Sequence, residues 1–174
     1  LDNTGVLTTD QAKRLFRVMR TRTPALYYAG GEPTLRNDLP ELMVTARELG
    51  YFPQLINTNA SILQKRLLNP GWKNFLSDID ILIVSLDSLR PSVLSDVYKT
   101  TMPEHVVRNL LALHELSKEY RFKLMINCVI MPGLIEDAHD VLDLANELGL
   151  FFCGVPQNVG PRAAGGYPAD LPAR

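Results

Sequence analysis

An α/β fold on a parallel sheet is the architecture this chain predicts, on three observations. Short β-rich runs alternate with longer segments of helical period. The strongest run, Ile79 to Leu86, is apolar almost throughout, as in a strand covered by helices. The 174 residues are 46% hydrophobic and 21% charged, with a formal net charge of -1, the composition of one globular domain. That balance leaves no basic footprint for nucleic acid. The most apolar stretch is short and interrupted by Asp80 and Ser85, so no membrane span is expected.

Each element follows from local chemistry. A first helix begins near Thr8, with Gln11 at capping-box spacing and Ala12, Leu15, Phe16 and Met19 on one face. Ala25 to Ala29 is a strand that runs into Gly30-Gly31-Glu32-Pro33. The second helix starts at an Asp38 cap, with Pro40 in its first turn and Glu41 three positions on. It buries Leu42, Met43, Ala46 and Leu49, and Gly50 is its left-handed stop. Phe52 to Asn57 is a strand ending in Thr58-Asn59, followed by a weaker helix over Ile62 to Leu68 that Asn69-Pro70-Gly71 breaks. After the Ile79–Leu86 strand, Thr101, Pro103 and Glu104 cap a long helix with Val106, Val107, Leu110, Leu111 and Leu113 inward. Lys123 to Ile130 and Phe151 to Val155 are two more strands. The helix between them carries Ala138, Val141, Leu142, Ala145 and Leu148 and closes at Gly149.

Such alternation implies βαβ units with right-handed crossovers. Five strands fit either a flavodoxin-like open sheet or a partial barrel, and periodicity does not separate the two. One domain over 1–160 is expected, then an irregular Pro/Gly/Ala-rich tail over 161–174. Cys128 and Cys153, each in an apolar run and without CxxC spacing, read as small buried hydrophobes.

In both architectures ligands bind at the carboxyl ends of the strands. The residues there are Gly30-Gly31-Glu32-Pro33, Thr58-Asn59, Ser85 with Asp87-Ser88, Asn127 leading to Met131-Pro132-Gly133, and Pro156-Gln157-Asn158. No lysine or cysteine there suits nucleophilic attack. A rim of acceptors and amides suits a polar, amine-bearing small molecule. The two glycines admit a close backbone approach, and Glu32 can meet an ammonium or a hydroxyl.

Tyr28-Ala-Gly-Gly-Glu-Pro-Thr-Leu-Arg36, then Thr58-Asn59, Val84-Ser-Leu-Asp-Ser88 and Ile126-Asn-Cys-Val-Ile-Met-Pro-Gly133, resemble the radical S-adenosylmethionine superfamily over roughly residues 8–160. The branch containing the molybdenum-cofactor cyclase and the peptide-maturing enzymes is the most similar. The resemblance implies a partial (β/α)6 TIM-like barrel, here truncated to about five βα units. It also implies S-adenosylmethionine bound to a [4Fe–4S] cluster and cleaved reductively, with a 5′-deoxyadenosyl radical abstracting hydrogen from a small-molecule or peptide substrate. A low-potential electron donor comes with it, and the composition is that expected of a cytoplasmic protein.

Carried over by motif, Gly30, Gly31 and Glu32, with Pro33 fixing the turn's exit, hold the methionine amino group. Thr58 and Asn59 flank the cofactor, and Ser85 and Asp87 reach the ribose or the carboxylate. Asn127 is placed similarly, and Val155-Pro156 lie near the adenine. The family's CxxxCxxC cluster motif is absent. Two cysteines on separate strands do not replace three thiolates, so the first strand and its cysteine loop are expected upstream of Leu1. The chain by itself is expected to be inactive in the radical reaction. The alternatives are a non-catalytic relative that binds or scaffolds, and a non-radical barrel lyase.

His105, His114 and His139 sit on separate helices and read as surface or groove residues. Arg36 reads as a solvated helix-start arginine, Trp72 as a packing anchor, and Lys13, Arg14, Arg17, Arg20 and Arg22 as a solvated basic face. Of Tyr27 and Tyr28, one faces the barrel interior and the other the helices.

Overall fold

The structure is a computed structural model that describes residues 6–72, 74–98 and 104–157. The expected tail over 161–174, the Thr101 and Pro103 cap and Asn158 lie outside the described residues. Six α-helices alternate with five strands among those described. They are α1 (Thr9–Met19), β1 (Leu26–Tyr28), α2 (Leu39–Glu48), β2 (Gln54–Thr58), α3 (Leu63–Leu67), β3 (Ile81–Ser85), α4 (Pro91–Tyr98), α5 (Glu104–Tyr120), β4 (Lys123–Ile130), α6 (Ile135–Leu148) and β5 (Phe151–Pro156). Short 3-10 turns cover Pro33–Leu35, Pro70–Trp72 and Phe75–Asp78.

Strand order decides the architecture. The sheet is parallel throughout and runs β1-β2-β3-β4-β5. A flavodoxin-like sheet reverses its order and carries helices on both faces. An unreversed order with crossovers of one hand keeps every helix on one side, which is the arc of a barrel wall. Burial alternates accordingly. Ile56, Leu82, Val84, Leu124, Ile126 and Cys128 are buried in one continuous core with Leu39, Met43, Leu63, Leu110 and Val141 of the helices. The intervening residues Leu55, Asn57, Ile81, Ile83, Ser85, Met125 and Asn127 stay half-buried on the other face.

That alternation settles the tyrosines. Tyr27 pairs in register with Leu55 and is exposed on the open face, whereas Tyr28 pairs with Ile56 toward the helices. The Tyr28 hydroxyl donates to Gln54 Oε1 at 2.7 Å. Burial raises its pKa well above that of an ordinary phenol. Gln54 is fully buried and uses its whole hydrogen-bonding capacity. Its amide nitrogen donates to the carbonyls of Met43 and Asp78, and its backbone N–H donates to Asp80. Arg47 closes this cluster on Asp80 at 2.9 Å, which pins the amino ends of β2 and β3 opposite the candidate rim.

Several local expectations change. The Thr8 capping box forms as read, but Leu15 is exposed, because the apolar contact of α1 with the fold runs through Ala12 and Phe16, with Met19 beside them. Asp38 occupies the N-cap of α2 without capping it. Its carboxylate accepts instead from Arg36 Nη2 at 2.8 Å and from the Thr9 hydroxyl, stronger partners than a lone backbone N–H. Arg36 is therefore held rather than solvated, with Nη1 on the Leu7 carbonyl at 3.0 Å. Within the basic face, Lys13 pairs with Glu41, and Arg20 reaches the Leu49 carbonyl over the Tyr51 ring. Leu111 is exposed, since α5 presents only Val106, Leu110 and Leu113 fully to the core.

Cys128 is fully buried, as expected, and burial pushes its thiol up to about 11, with Asp87 and Asp137 adding to the effect. Cys153 is exposed. Register puts it beside Asn127 on the open face of β5, a strand that pairs on one side only among the described residues. Trp72 is buried against Phe75 with ring centroids 4.6 Å apart, the packing role read for it.

Candidate functional site

The carboxyl ends of β1, β2 and β3 converge on a cleft of about 280 Å3 lined by Gly30, Gly31, Asn57, Thr58, Asn59 and Ser85. Five of these six are residues the motifs singled out. Gly30 has φ +94°, a conformation that favours glycine. A Cβ at Gly30 or Gly31 would meet no other described residue within 4 Å, so among the described residues the space above both backbones is open to a ligand.

Glu32 organises the cleft's wall. Its Oε1 accepts from the Thr34 backbone N–H at 2.9 Å, from the Thr34 hydroxyl and from the Thr58 hydroxyl at 2.8 Å. Its Oε2 accepts from the Asn59 N–H at 2.8 Å. One carboxylate thus fastens the turn after β1 to the end of β2, and it caps the 3-10 turn that Pro33 begins. On its far side a second groove, about 630 Å3, runs past Leu7, Thr9, Arg36 and Asp38.

The turn after β2 is held as firmly. The Thr58 hydroxyl accepts from the Ala60 N–H at 3.0 Å, and Asn59 Oδ1 accepts from the Ser61 N–H at 2.9 Å. Ala60 takes φ +56°, and Asn109 of α5, 2% exposed, donates to its carbonyl at 2.6 Å.

Ser85 donates its hydroxyl to Asn57 Oδ1 at 2.9 Å and lies in register with Asn127, which lies in register with Cys153. Fixing that oxygen as acceptor leaves the Asn57 amide N–H groups to the cleft. Asp87 does not line the cleft. It is 4% exposed and accepts from the Val129 N–H at 2.6 Å, tying the β3 exit to β4. Val155 and Pro156 end β5 beside Val129 and Ile130, both exposed.

Asn57 is the cleft residue that motif reading missed. Period-two alternation back from Asn59 through Asn57 to Leu55 would have found it. Nothing local signals Asn109 or the Ser88–Arg90–Asp137 cluster, whose partners lie far apart in sequence.

The donor set discriminates between groups. Open glycine backbone and two carboxamides, without a net charge among the lining residues, suit an amino-acid zwitterion such as the methionine end of S-adenosylmethionine. An iron–sulfur cluster is not served. Among the described residues no group of three or more His, Cys, Asp and Glu could hold a metal, and Cys128 and Cys153 point to opposite faces of the sheet.

Comparison with known proteins places the family and the fold. The model of the Radical SAM superfamily matches residues 2–145. Molybdenum cofactor biosynthesis protein 1 of Drosophila melanogaster is 27% identical over 133 residues, 76% of this chain and 22% of that protein. The 7,8-dihydro-6-hydroxymethylpterin dimethyltransferase of Methanocaldococcus jannaschii is 43% identical over 79 residues, 41% of this chain and 16% of that protein. The chain thus spans about a fifth of the length of these relatives. Among solved structures, native anSMEcpe with bound AdoMet and the Kp18Cys peptide superposes with TM-score 0.65 at 19% identity, covering 96% of this chain and 48% of that one. Streptococcus suis SuiB bound to S-adenosylmethionine superposes with TM-score 0.66 at 21% identity, covering 84% of this chain and 34% of that one.

Proposed function

The chain belongs to the radical SAM superfamily, and from that premise we propose that it forms part of the S-adenosylmethionine-binding wall of a longer enzyme. The observation that carries this reading is the cleft itself. The two glycines of GGEP, the TN pair and the β3 serine, spread over residues 30–85, meet around one open space at the carboxyl edge of the sheet. Gly30 and Gly31 would accept from the amino group through their carbonyls. The side-chain amides of Asn57 and Asn59 would donate to the methionine carboxylate and the ribose, while the Thr58 and Ser85 hydroxyls, whose protons go to Glu32 and Asn57, hold the wall in place and leave oxygen lone pairs as acceptors; Asn127 lies in register beside Ser85. Glu32, Pro33 and Asp87 set the rim's shape, and Val155-Pro156 stand at the edge assigned to the adenine.

When bound with its cluster, S-adenosylmethionine supplies reductive C–S cleavage and hydrogen abstraction from substrate. This chain's own residues bind, orient and exclude water. The three thiolates for a cluster would come from a segment other than the described residues, and a low-potential donor would supply the electron. The bound peptide in anSMEcpe and the pterin named for the archaeal relative support a peptide or a small molecule as substrate.

The test is anaerobic iron and sulfide reconstitution of the full-length protein, with dithionite and an assay of 5′-deoxyadenosine. Release by the wild type and a marked drop in Glu32→Ala is the expected result. A folded, cluster-free protein with no release would overturn the enzyme reading. It would favour the second one, a relative that binds or scaffolds.

A further inference from the structure

The loop that leaves β3 is fastened from behind by a carboxylate in the first turn of α6. Asp137 is 3% exposed. Its Oδ1 accepts from Arg90 Nε at 2.8 Å and from the Ser88 hydroxyl, and its Oδ2 accepts from Arg90 Nη2. The Ser88 oxygen in turn accepts from the Arg90 backbone N–H at 2.9 Å, and Ser88 is fully buried. Residues 88–90 therefore close a ring around one buried acid.

Two more bonds fasten the same loop to β4: Leu86 N–H to the Asn127 carbonyl at 2.9 Å, and Val129 N–H to Asp87 Oδ1 at 2.6 Å. A buried ion pair is a poor way to gain stability, since apolar side chains of similar volume often do as well. What such a pair supplies is direction, because a forked guanidinium meets a carboxylate in one plane. Here the arginine keeps its side chain 57% exposed while the acid is buried, so the charge is compensated without burying both partners.

We infer that Asp137 is a positioning residue for the cleft: by holding Ser88 and Arg90 it fixes the exit of β3, and through it the Ser85 hydroxyl that orients the Asn57 amide. The Ser85–Asn57 bond is 2.9 Å long, and hydrogen bonds fade beyond about 3.2 Å, so a shift of a few tenths of an ångström at Ser85 releases Asn57. The role of this clamp in cofactor binding rests on the cleft being the S-adenosylmethionine site. The clamp's effect on the loop does not.

The experiment uses the full-length protein with Asp137→Asn, Arg90→Gln, Arg90→Lys and a control, Val141→Ala, an apolar side chain buried one turn further along the same helix. Calorimetric titration gives the Kd for S-adenosylmethionine, and hydrogen exchange of the ligand-free protein reports on amides 85–90. Asp137→Asn and Arg90→Gln are expected to speed exchange over 86–90 and to weaken binding about tenfold. Arg90→Lys recovers part of this, and Val141→Ala lowers the unfolding midpoint with Kd kept within about twofold. An unchanged Kd in both clamp variants beside a wild type that binds overturns the inference, as does equal weakening by Val141→Ala. If the wild type fails to bind, the reading of the cleft fails. The exchange comparison then decides the clamp alone: unaltered exchange refutes it and faster exchange supports it. Should Asp137→Asn not fold, Arg90→Gln, at an exposed side chain, carries the same comparison.

Discussion

Replacing Glu32 with glutamine tests whether the carboxylate is a tie between strands or a direct ligand contact. The side chain accepts from Thr34 N–H, Thr34 hydroxyl and Thr58 hydroxyl on one oxygen, and from Asn59 N–H on the other. Glutamine keeps one acceptor and turns a donor toward the remaining partner. With the oxygen on the three-donor side, the amide nitrogen faces the Asn59 N–H and that bond is lost. A hydrogen bond to a charged group is worth about 1.5–3 kcal/mol. Glu32 is half-buried, so water recovers part of this and about 1–2 kcal/mol remains. Opening of the turn after β2 becomes roughly 5–30 times more frequent. Hydrogen exchange of the full-length protein, resolved at Asn59 and Thr34, reads this directly. Alanine, which removes every bond, should cost about 2–4 kcal/mol, because two backbone N–H groups lose their acceptors while the hydroxyls can rotate elsewhere. Exchange at Asn59 within twofold of wild type in Glu32→Gln would refute the tie. Weakened S-adenosylmethionine binding with unaltered exchange would make Glu32 a ligand contact instead.

Further outcomes follow from other contacts. Asn109→Leu should loosen the turn after β2 by about 1–2 kcal/mol, since the Ala60 carbonyl loses its donor in a buried setting; faster exchange at Asn59–Ser61 checks it. Iodoacetamide at pH 8, followed by mass spectrometry, should label the exposed Cys153 quickly and leave Cys128 unmodified in the folded protein, the latter being buried with its thiol raised to about 11; equal labelling would contradict the register of β5. The hydrogen bonds from Arg90 hold the Asp137 carboxyl below its ordinary 3.8 against the effect of burial, and the Ser88 hydroxyl adds to them. Because the folded acid binds a proton less readily than the unfolded one, the pair's contribution is complete above that ordinary value. It is lost as pH falls below it through the folded-state value. The urea-midpoint gap between wild type and Asp137→Asn should stay level from pH 7 to about 4.5 and shrink in more acidic solution; a gap that widens there would reverse the assignment.

Much of the site was legible before any coordinates because its residues come in contiguous pieces. Gly30-Gly31-Glu32-Pro33, Thr58-Asn59 and Ser85 each end a strand, and strand ends are where a parallel sheet gathers ligands. Helix stops were legible for the same local reason: Gly50 and Gly149 both take positive φ where the periodic apolar pattern ends. Less local expectations fared worse. Asp38 sits at the N-cap as its spacing says, yet its carboxylate goes to Arg36 and Thr9, and the Thr9 hydroxyl lies 29 positions away. Cys153 reads as core because its neighbours Phe151, Phe152 and Val155 are apolar, but apolar neighbours do not say which face is covered. The helix Pro91–Tyr98 was not anticipated at all.

Short-range chemistry in the sequence alone determined the alternation of strands and helices, the capping of α1, the stops of α2 and α6, and the motifs at the strand ends. Propensity, capping and turn formation act within a few residues of chain, and there the sequence is a sufficient description. Tertiary structure decided between barrel arc and open sheet where periodicity did not, and it alone settled which of Tyr27 and Tyr28 faces the helices. It also decided that Glu32 and Asp137 spend their charges on distant loops. Each of these depends on which strand lies beside which and on which face the helices cover, and those are contacts between residues 26 to 49 positions apart.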